Sequence, residues 1–309
     1  MIERWVESSR AYLASAKAQD SLAADPYWPK WDSPWWHMVV LWELGRAGDI
    51  PREASTAMLE AVATRYLDFF PNPRQPLPPG RDAHRETHCH CSLGIMYQVL
   101  RDCGHDVDAK APWIRRWFLH YQLPDGGLNC DDKAYASGGA SSIQSTLPAL
   151  EAVLRGARGA HTPAEEAFLD RGAAYLLERR LAYRRSDGAV MKEDFLAVAF
   201  PRFYDYDVLR GLGFLVEWVI VRGGKVPAAS VSGVMKALAA RFPDGVVKVE
   251  RPGLPDAKTL VRGADGSWSK GGAAASFALL DACRRPGTPI PALTKAWSGA
   301  RAAFPDALR

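Results

Sequence analysis

The amino-acid sequence predicts an all-α fold, in which residues 1–309 form one domain built as an (α/α)5–6 toroid. Apolar residues recur at helical spacing, whereas the strict alternation typical of strands is rare. Charged helices and apolar helices alternate along the chain. The apolar helices also end in similar glycine-containing segments, which begin at Leu44, Leu100, Leu154 and Ile220. This recurrence predicts a long helical-hairpin repeat.

The predicted elements form two sets. Charged, amphipathic helices are expected over residues 2–19, 52–70, 110–122, 164–183, 227–242 and 292–304. Apolar helices rich in small residues are expected over 34–47, 88–103, 141–156, 206–222 and 272–285. Prolines near the starts of the charged helices and glycines after the apolar ones fit these boundaries. The only β-like run is 246–249.

The alternation of the two sets predicts two concentric layers of helices. The charged helices must face water, and the apolar ones must be covered on most sides. A closed toroid meets both demands. An open solenoid is the alternative, but it needs polar caps on its terminal repeats.

Composition narrows the class of protein. The chain is 48% hydrophobic and 24% charged, with a net charge of +4, as in ordinary globular proteins. The chain has no basic stripe with interleaved aromatic residues, so the sequence does not predict nucleic-acid binding. The N-terminus lacks the apolar core of a signal peptide, and the longest apolar run, 211–221, is too short to span a bilayer. Five cysteines without an export signal predict reduced thiols and a cytoplasmic protein.

Two segments resemble a known superfamily. Residues 118–128, FLHYQLPDGGL, are similar to the repeat of squalene and hopene cyclases and of protein prenyltransferase β-subunits. That repeat runs aromatic, aliphatic, Gln, then Gly-x-Trp. Leu128 stands in place of the Trp, whereas residues 265–268, DGSW, keep the Gly-x-Trp half. Residues 200–212 resemble a segment of uncharacterised single-domain bacterial members of the superfamily.

The resemblance implies a toroid whose central cavity binds isoprenoid chains or peptides. Class II terpene cyclases carry an Asp-x-Asp-Asp motif, which this chain lacks: Asp205-Tyr-Asp207-Val has no final aspartate, and Asp131-Asp132 has no first one. Triterpene cyclases need two such domains. Protein prenyltransferases need an α-subunit and a zinc ion held by Asp, Cys and His. The resemblance therefore allows a protein partner for this chain as one alternative.

In the predicted toroid, the loops that lead into the apolar helices all lie at one end. They bring reactive and aromatic side chains to a common rim. The candidate catalytic residues are Asp131, Asp132, Asp205 and Asp207. The candidate substrate-binding residues are Trp35, Trp36, His37, Tyr204, Tyr206, Arg210 and Trp268. Helix N-termini at this rim also favour anionic groups.

The densest cluster of metal-ligand types is His84 to Cys91, sequence HRETHCHC. His88 and Cys91 lie three residues apart and share a helix face. Cys130 supplies a third ligand and Asp131 a fourth, which together predict a zinc site. Two alternatives stay open: buried thiols beside helix-capping histidines, and a Cys91–Cys130 disulfide.

The other candidates also have structural interpretations. Asp205 or Asp207 can act as a general acid, or can only cap the helix that follows. Arg210 can bind a substrate anion, or can pair with Glu43 or Glu151. The aromatic residues can stabilise a carbocation, hold a prenyl chain, stack on sugars or fill the core.

Three functions follow from these residues. The first is a prenyltransferase-like or terpene cyclase-like protein that binds an isoprenoid or other apolar small molecule. The second is an (α/α)-barrel glycosidase or lyase with paired aspartates. The third is a non-catalytic binding scaffold.

Overall fold

The protein is predominantly helical in a computed structural model that describes most of the chain. The described residues are 2–25, 27, 31–65, 90–131, 133–136, 138–156, 160–253, 258–262 and 268–309. None of the helices in these ranges is long and apolar enough to cross a membrane.

The helices are numbered in chain order. The first seven are α1 (Ile2–Leu13), α2 (Ala16–Ala24), α3 (Trp35–Glu43), α4 (Arg52–Arg65), α5 (His90–Asp102), α6 (Val107–Lys110) and α7 (Trp113–His120). The next seven are α8 (Lys133–Ala136), α9 (Ile143–Gly156), α10 (Pro163–Glu178), α11 (Val208–Arg222), α12 (Ala228–Arg241), α13 (Ala278–Cys283) and α14 (Pro291–Ala303). Short 3-10 turns span Ala47–Asp49, Glu193–Phe195 and Pro305–Leu308.

Four short strands form two small sheets. Strands β1 (Ala199–Phe200) and β2 (Arg251–Pro252) are parallel. Strands β3 (Lys258–Arg262) and β4 (Trp268–Ala273) are antiparallel, with an irregular register near Lys258. The β-like run 246–249 is extended and exchanges backbone hydrogen bonds with residues 288–290.

Three predicted helices differ from the structure, and residues 66–70 and 88–89 of two others lie outside the described residues. The predicted helix 110–122 begins only at Trp113, because Val107–Lys110 is a separate helix. The predicted helix 2–19 is two helices, because Ser15 accepts a hydrogen bond from Ala18 N at 3.3 Å and so starts α2. The first part of the predicted helix 272–285 is wrong, since Trp268–Ala273 is strand β4. Small residues dominate this segment, and pairing with β3 decides its conformation.

The apolar helices carry the core. Every residue from His90 to Leu100 of α5 is buried, and α5 packs closely against α9. At this crossing a side chain at Gly94 would collide with the Pro148 backbone. Helix α3 contacts α5, α9 contacts α11, and α13 contacts α3. Helix α10 packs against both α9 and α11.

The turn between α7 and α9 accounts for the first half of the repeat motif. The Gln122 amide donates to Gly126 O at 2.8 Å and to Phe168 O at 2.9 Å. Gly126 has a φ of 90°, and a side chain there would strike the Arg171 carbonyl. These residues join one helix to the next, which is a structural role.

Candidate functional site

Two adjoining cavities open beside the start of α3. The larger, about 540 Å³, lies among α1, α2, the start of α3 and residues 275–278. The smaller, about 190 Å³, lies against Phe203 and Gly253. Both are lined by Trp31, Ala275 and Ser276, so they form one cleft with a shared wall.

An aromatic cluster lies around Trp31, which lines both cavities, and includes Trp36 and Phe203, which line the smaller one. The Trp31 and Trp36 ring centroids are 4.2 Å apart, and the Trp36 ring meets Phe203 edge-on at 5.2 Å. Tyr204 lies beside them, 5.7 Å from Trp31. Trp35 is buried behind Trp36, with the two ring centroids 6.5 Å apart. The structure thus places Trp35, Trp36 and Tyr204 in one aromatic cluster.

Sequence reasoning missed Trp31 and Phe203. Both have positive φ values, 74° and 54°, which are unfavourable for bulky side chains and cost on the order of 1–3 kcal/mol each. Residues held in this way cluster at ligand sites. No sequence pattern signals a positive φ in a bulky residue, although the tryptophans around 31–36 mark the region.

Two polar atoms in the wall are buried without a hydrogen-bond partner among the residues that the structure describes. They are Ser33 Oγ, which lines the larger cavity, and Trp36 Nε1, whose residue lines the smaller one. Leaving a buried donor or acceptor unpaired costs about 1–3 kcal/mol. Such atoms are normally satisfied in a native protein, so each one here needs an explanation.

His37 forms the inner edge of the larger cavity. Its ring stacks on Phe277 at 3.6 Å, and its Nδ1 lies 3.1 Å from Ser9 Oγ. Burial lowers the pKa of His37 to about 3. The imidazole is therefore neutral at ordinary pH and contributes hydrogen bonding rather than charge.

Asp205 and Asp207 lie in a network of buried ion pairs. Asp207 caps α11 by accepting from Arg210 N at 2.8 Å, and also accepts from Arg202 Nε at 2.8 Å. Asp205 accepts from Arg251 Nη1 at 2.9 Å and from the Gln144 amide at 2.5 Å. The capping interpretation therefore applies to Asp207, and all four carboxylate oxygens have donors.

Arg210 forms the buried pair that the sequence offered as its structural interpretation. Its Nε and Nη2 donate to the two Glu151 oxygens at 3.0 and 2.6 Å. Its Nη1 donates to the carbonyls of Phe203 and Asp205, each at 3.0 Å. The guanidinium thus holds the backbone of the loop that carries Phe203.

Glu43 holds the same loop from α3. Its oxygens accept from Arg202 N at 2.9 Å and from Phe203 N at 2.5 Å. Burial raises the pKa of Glu43 to about 7, against the opposing effect of these donors. Together with Arg210, Glu43 fixes the positive φ of Phe203 and so the position of its ring in the cavity wall.

Two other candidate residues are Tyr206 and Trp268. Tyr206 is fully buried beneath α11, and its hydroxyl donates to Leu181 O at 2.7 Å. Trp268 lies in β4, opposite Arg262.

The predicted metal-ligand region contains a pair of thiols. The Sγ atoms of Cys91 and Cys130 are 3.6 Å apart, with Cys91 buried and Cys130 exposed. Asp131 is exposed beside Cys130, whereas His88 and Asp132 lie outside the described residues. Among the residues that are described, no three His, Cys, Asp or Glu side chains form a group able to hold a metal ion.

A hydrogen-bonded chain runs beside the thiols. Trp117 Nε1 donates to His90 Nδ1 at 2.7 Å, so the neutral His90 ring carries its proton on Nε2. That nitrogen lies 3.0 Å from the Tyr135 hydroxyl, which accepts from Asn129 N at 3.0 Å. The chain ties the loop of Cys130 to the first turn of α5.

Comparison of the chain with protein-family models, with curated proteins and with solved structures finds no match.

Proposed function

We propose that this protein binds a small, largely apolar molecule of the isoprenoid type in the cleft between α1, α3 and the 200–207 loop. The observation that carries the proposal is an aromatic wall with two buried polar atoms that have no protein partner. Aromatic faces suit a prenyl chain. The two polar atoms are covered in this structure, so they would bond an oxygen-bearing end of the molecule only after the side chains over them move aside.

The size of the cleft is compatible with such a ligand. The larger cavity, about 540 Å³, lies within the range of small-molecule sites, about 300–1,000 Å³. The larger cavity is lined by Lys17, Asp32 and several hydroxyl groups besides its aromatic rings, and the smaller one by Trp36, Phe203 and Arg284. Both parts of the cleft therefore offer polar groups beside apolar ones, as an amphiphilic ligand requires.

The proposal includes a closed α/α toroid related to the terpenoid cyclase-like superfamily. The contacts of α3 with α5, of α5 with α9, of α9 with α11 and of α13 with α3 are those that neighbouring inner helices of a toroid would make. The turn at Gln122–Leu128 has the structural role expected of a superfamily repeat.

The two alternative functions have less support. A glycosidase or lyase needs paired carboxylates that face the substrate. Asp205 and Asp207 instead accept hydrogen bonds from protein donors on all four oxygens. A purely protein-binding scaffold leaves the cleft unexplained. We therefore propose ligand binding as the function, with transfer or cyclisation as the activity that the superfamily resemblance implies.

The test is a titration of the protein with farnesol, in which binding is measured by calorimetry or by tryptophan fluorescence. Trp36→Phe keeps an aromatic ring and removes Nε1. Trp42→Phe is the matched control, because Trp42 Nε1 already donates to Asp102 at 2.7 Å. We expect Trp36→Phe to weaken farnesol binding about tenfold, the effect of about 1.4 kcal/mol, and Trp42→Phe to leave it unchanged. Equal affinities for the two variants, or no binding by the native protein, would contradict the proposal.

A bound zinc ion is a second proposal, favoured by the thiol pair. Tetrahedral zinc with Zn–S bonds of about 2.3 Å places two sulfur ligands about 3.8 Å apart. The 3.6 Å between Cys91 and Cys130 fits this value. These residues and His88 would hold the ion, which when bound supplies a Lewis acid that can activate a thiol or water.

Metal analysis of protein expressed with zinc tests this second proposal. The native protein is expected to carry about one zinc per chain. Cys130→Ser is expected to lose it, and Cys103→Ser, the control, to keep it, since Cys103 lies against Ala47 O. Zinc-free native protein would rule the metal out.

A further inference from the structure

The thiol pair has a second property that does not depend on the proposed ligand. Cys130 is exposed, whereas Cys91 is only 7% exposed and touches Cys130 through its sulfur. An accessible thiol beside a shielded one is the arrangement in which an attacking cysteine is followed by a resolving cysteine. We propose that Cys130 and Cys91 form a reversible redox pair that is oxidised by small disulfides of the glutathione type.

The reaction proceeds in two exchanges. Cys130 loses its proton to solvent and attacks one sulfur of the small disulfide, which releases one thiol and leaves a mixed disulfide on Cys130. Cys91 then loses its proton and attacks Cys130 Sγ, which releases the second small thiol. Two electrons pass from the protein to the oxidant, and one protein disulfide replaces one small disulfide.

The geometry allows the second exchange with a small movement. Two sulfurs at 3.6 Å must approach to about 2.05 Å. Cys91 lies in the first turn of α5, whose interior is packed, so the loop of Cys130 is the part that moves. Cys130 N donates to Ser145 Oγ at 3.1 Å, which keeps this loop close to α9 in the reduced state.

The other described cysteines provide internal controls. Cys283 is fully buried, and burial raises its pKa to about 12. Burial likewise raises the pKa of the Cys103 thiol to about 12. Both thiols stay protonated at neutral pH, so disulfide exchange at either one is slow.

The redox pair and the zinc site use the same sulfurs and exclude each other. Zinc would hold Cys91 and Cys130 in the reduced state, and their oxidation would release the ion. Failure of zinc to bind leaves the redox proposal intact, because the experiment uses protein treated with a chelator. Failure of the ligand titration likewise has no bearing on it.

The experiment uses the full chain with Cys89→Ser, so that each tryptic peptide of interest carries one cysteine. These peptides are 86–101, 102–110, 117–133 and 271–284. The reduced, chelator-treated protein is incubated with glutathione disulfide and digested without reductant. Mass spectrometry is expected to find peptide 86–101 joined to 117–133, with Cys103 and Cys283 still reduced.

Two variants separate the roles of the thiols. Cys91→Ala is expected to accumulate a glutathione adduct on Cys130, because no thiol remains to resolve it. Cys130→Ser is expected to slow modification of Cys91 at least tenfold. Circular dichroism and the melting temperature are measured to check that each variant is folded. If Cys91→Ala is not folded, Cys91→Ser is used in its place.

Three results would overturn the proposal. The first is that the native protein gives no joined peptide, even though alkylation in denaturant shows that both thiols are present and reduced. The second is a joined peptide that includes Cys103 or Cys283 instead. The third is a Cys130→Ser variant in which Cys91 is modified as fast as in the native protein.

Discussion

Two segments at the starts of apolar helices have similar compositions but different surroundings. Residues 31–37, WDSPWWH, precede and begin α3, and residues 202–210, RFYDYDVLR, precede and begin α11. In the second segment, Asp205, Asp207 and Arg210 direct their polar atoms to protein partners, and only Arg202 Nη2 among its described side-chain atoms is buried without one. In the first, Ser33 Oγ and Trp36 Nε1 are buried without one.

This difference distinguishes polar groups that hold the structure from polar groups that could bind the proposed ligand. A carboxylate or guanidinium that already has its full set of hydrogen bonds holds the structure and has little left for a ligand. A buried hydroxyl or indole N–H that has none can gain a bond when a ligand enters. Hence the charged segment positions Phe203, and the segment before α3 contains unpaired groups that the proposed ligand would use.

The largest expected effect comes from a substitution in the charged segment, residues 202–210. Arg210→Met leaves Glu151 charged and buried, and is expected to lower the free energy of unfolding by about 3–5 kcal/mol. Arg184→Met, at an exposed pair with Asp187, is the control and is expected to cost about 0.5 kcal/mol or less. Urea denaturation measures both. Similar losses in the two variants would show that the buried pair does not hold the fold.

The next effect concerns Glu43, whose pKa rises to about 7 on folding. Between its unfolded value, about 4.5, and 7, the folded protein binds more protons than the unfolded one, so this group reduces stability as pH rises. Relative to Glu43→Gln, the native protein is expected to lose about 2–3 kcal/mol of stability between pH 5 and pH 8.

Glu178→Gln is the control for Glu43, because Glu178 is half exposed on α10. Its stability relative to the native protein is expected to change little over the same range. If the stability of Glu43→Gln relative to the native protein changes with pH no more than that of this control, Glu43 is not a buried carboxyl that holds Phe203 in place.

His37, in the binding segment, is expected to respond to pH in the opposite direction. Its pKa falls from 6.5 to about 3 on folding, so the unfolded protein binds more protons between these values. Stability is therefore lost as pH falls below 6.5, by about 2 kcal/mol at pH 5. His37→Gln is expected to lack this loss in thermal melts, and the exposed His120→Gln to keep it. Equal acid sensitivity in the two variants would show that His37 is not held neutral.

The smallest effect tests the unpaired hydroxyl directly. Ser33→Ala removes a buried Oγ without a partner and is expected to raise the stability of ligand-free protein by about 1 kcal/mol. Ser55→Ala is expected to lower it by about 1 kcal/mol, because buried Ser55 Oγ bonds Arg52 O and His105 Nε2. If both variants lose stability equally, Ser33 is paired within the protein and is not available to a ligand.

Much of the helical organisation could be predicted from the sequence, because apolar spacing is local and each apolar helix needs cover. The predicted helix 141–156 corresponds to Ile143–Gly156, and 206–222 to Val208–Arg222. The strand Trp268–Ala273 could not be predicted in this way, since its conformation depends on pairing with β3. Caps and breaks such as Ser15 are local but too short to appear in a periodic pattern.

Some of the residues predicted at the common rim lie together in the structure. Trp36, His37 and Tyr204 are in or beside the cleft, and Cys91 meets Cys130, because residues at the starts of neighbouring apolar helices come together. Trp31 and Phe203 were missed, because a positive φ depends on what clamps the backbone. For Phe203 the clamps are Glu43, 160 residues away, and Arg210.

The sequence by itself determined the helical class, the alternation of charged and apolar helices and the residues available at the helix starts. These properties follow from local spacing and from the cost of exposing apolar surface. Only the tertiary structure decided which polar groups are already paired. Arg210 and Ser33 differ in this respect because hydrogen-bond partners come from distant parts of the chain, and the fold supplied them to Arg210 but not to Ser33.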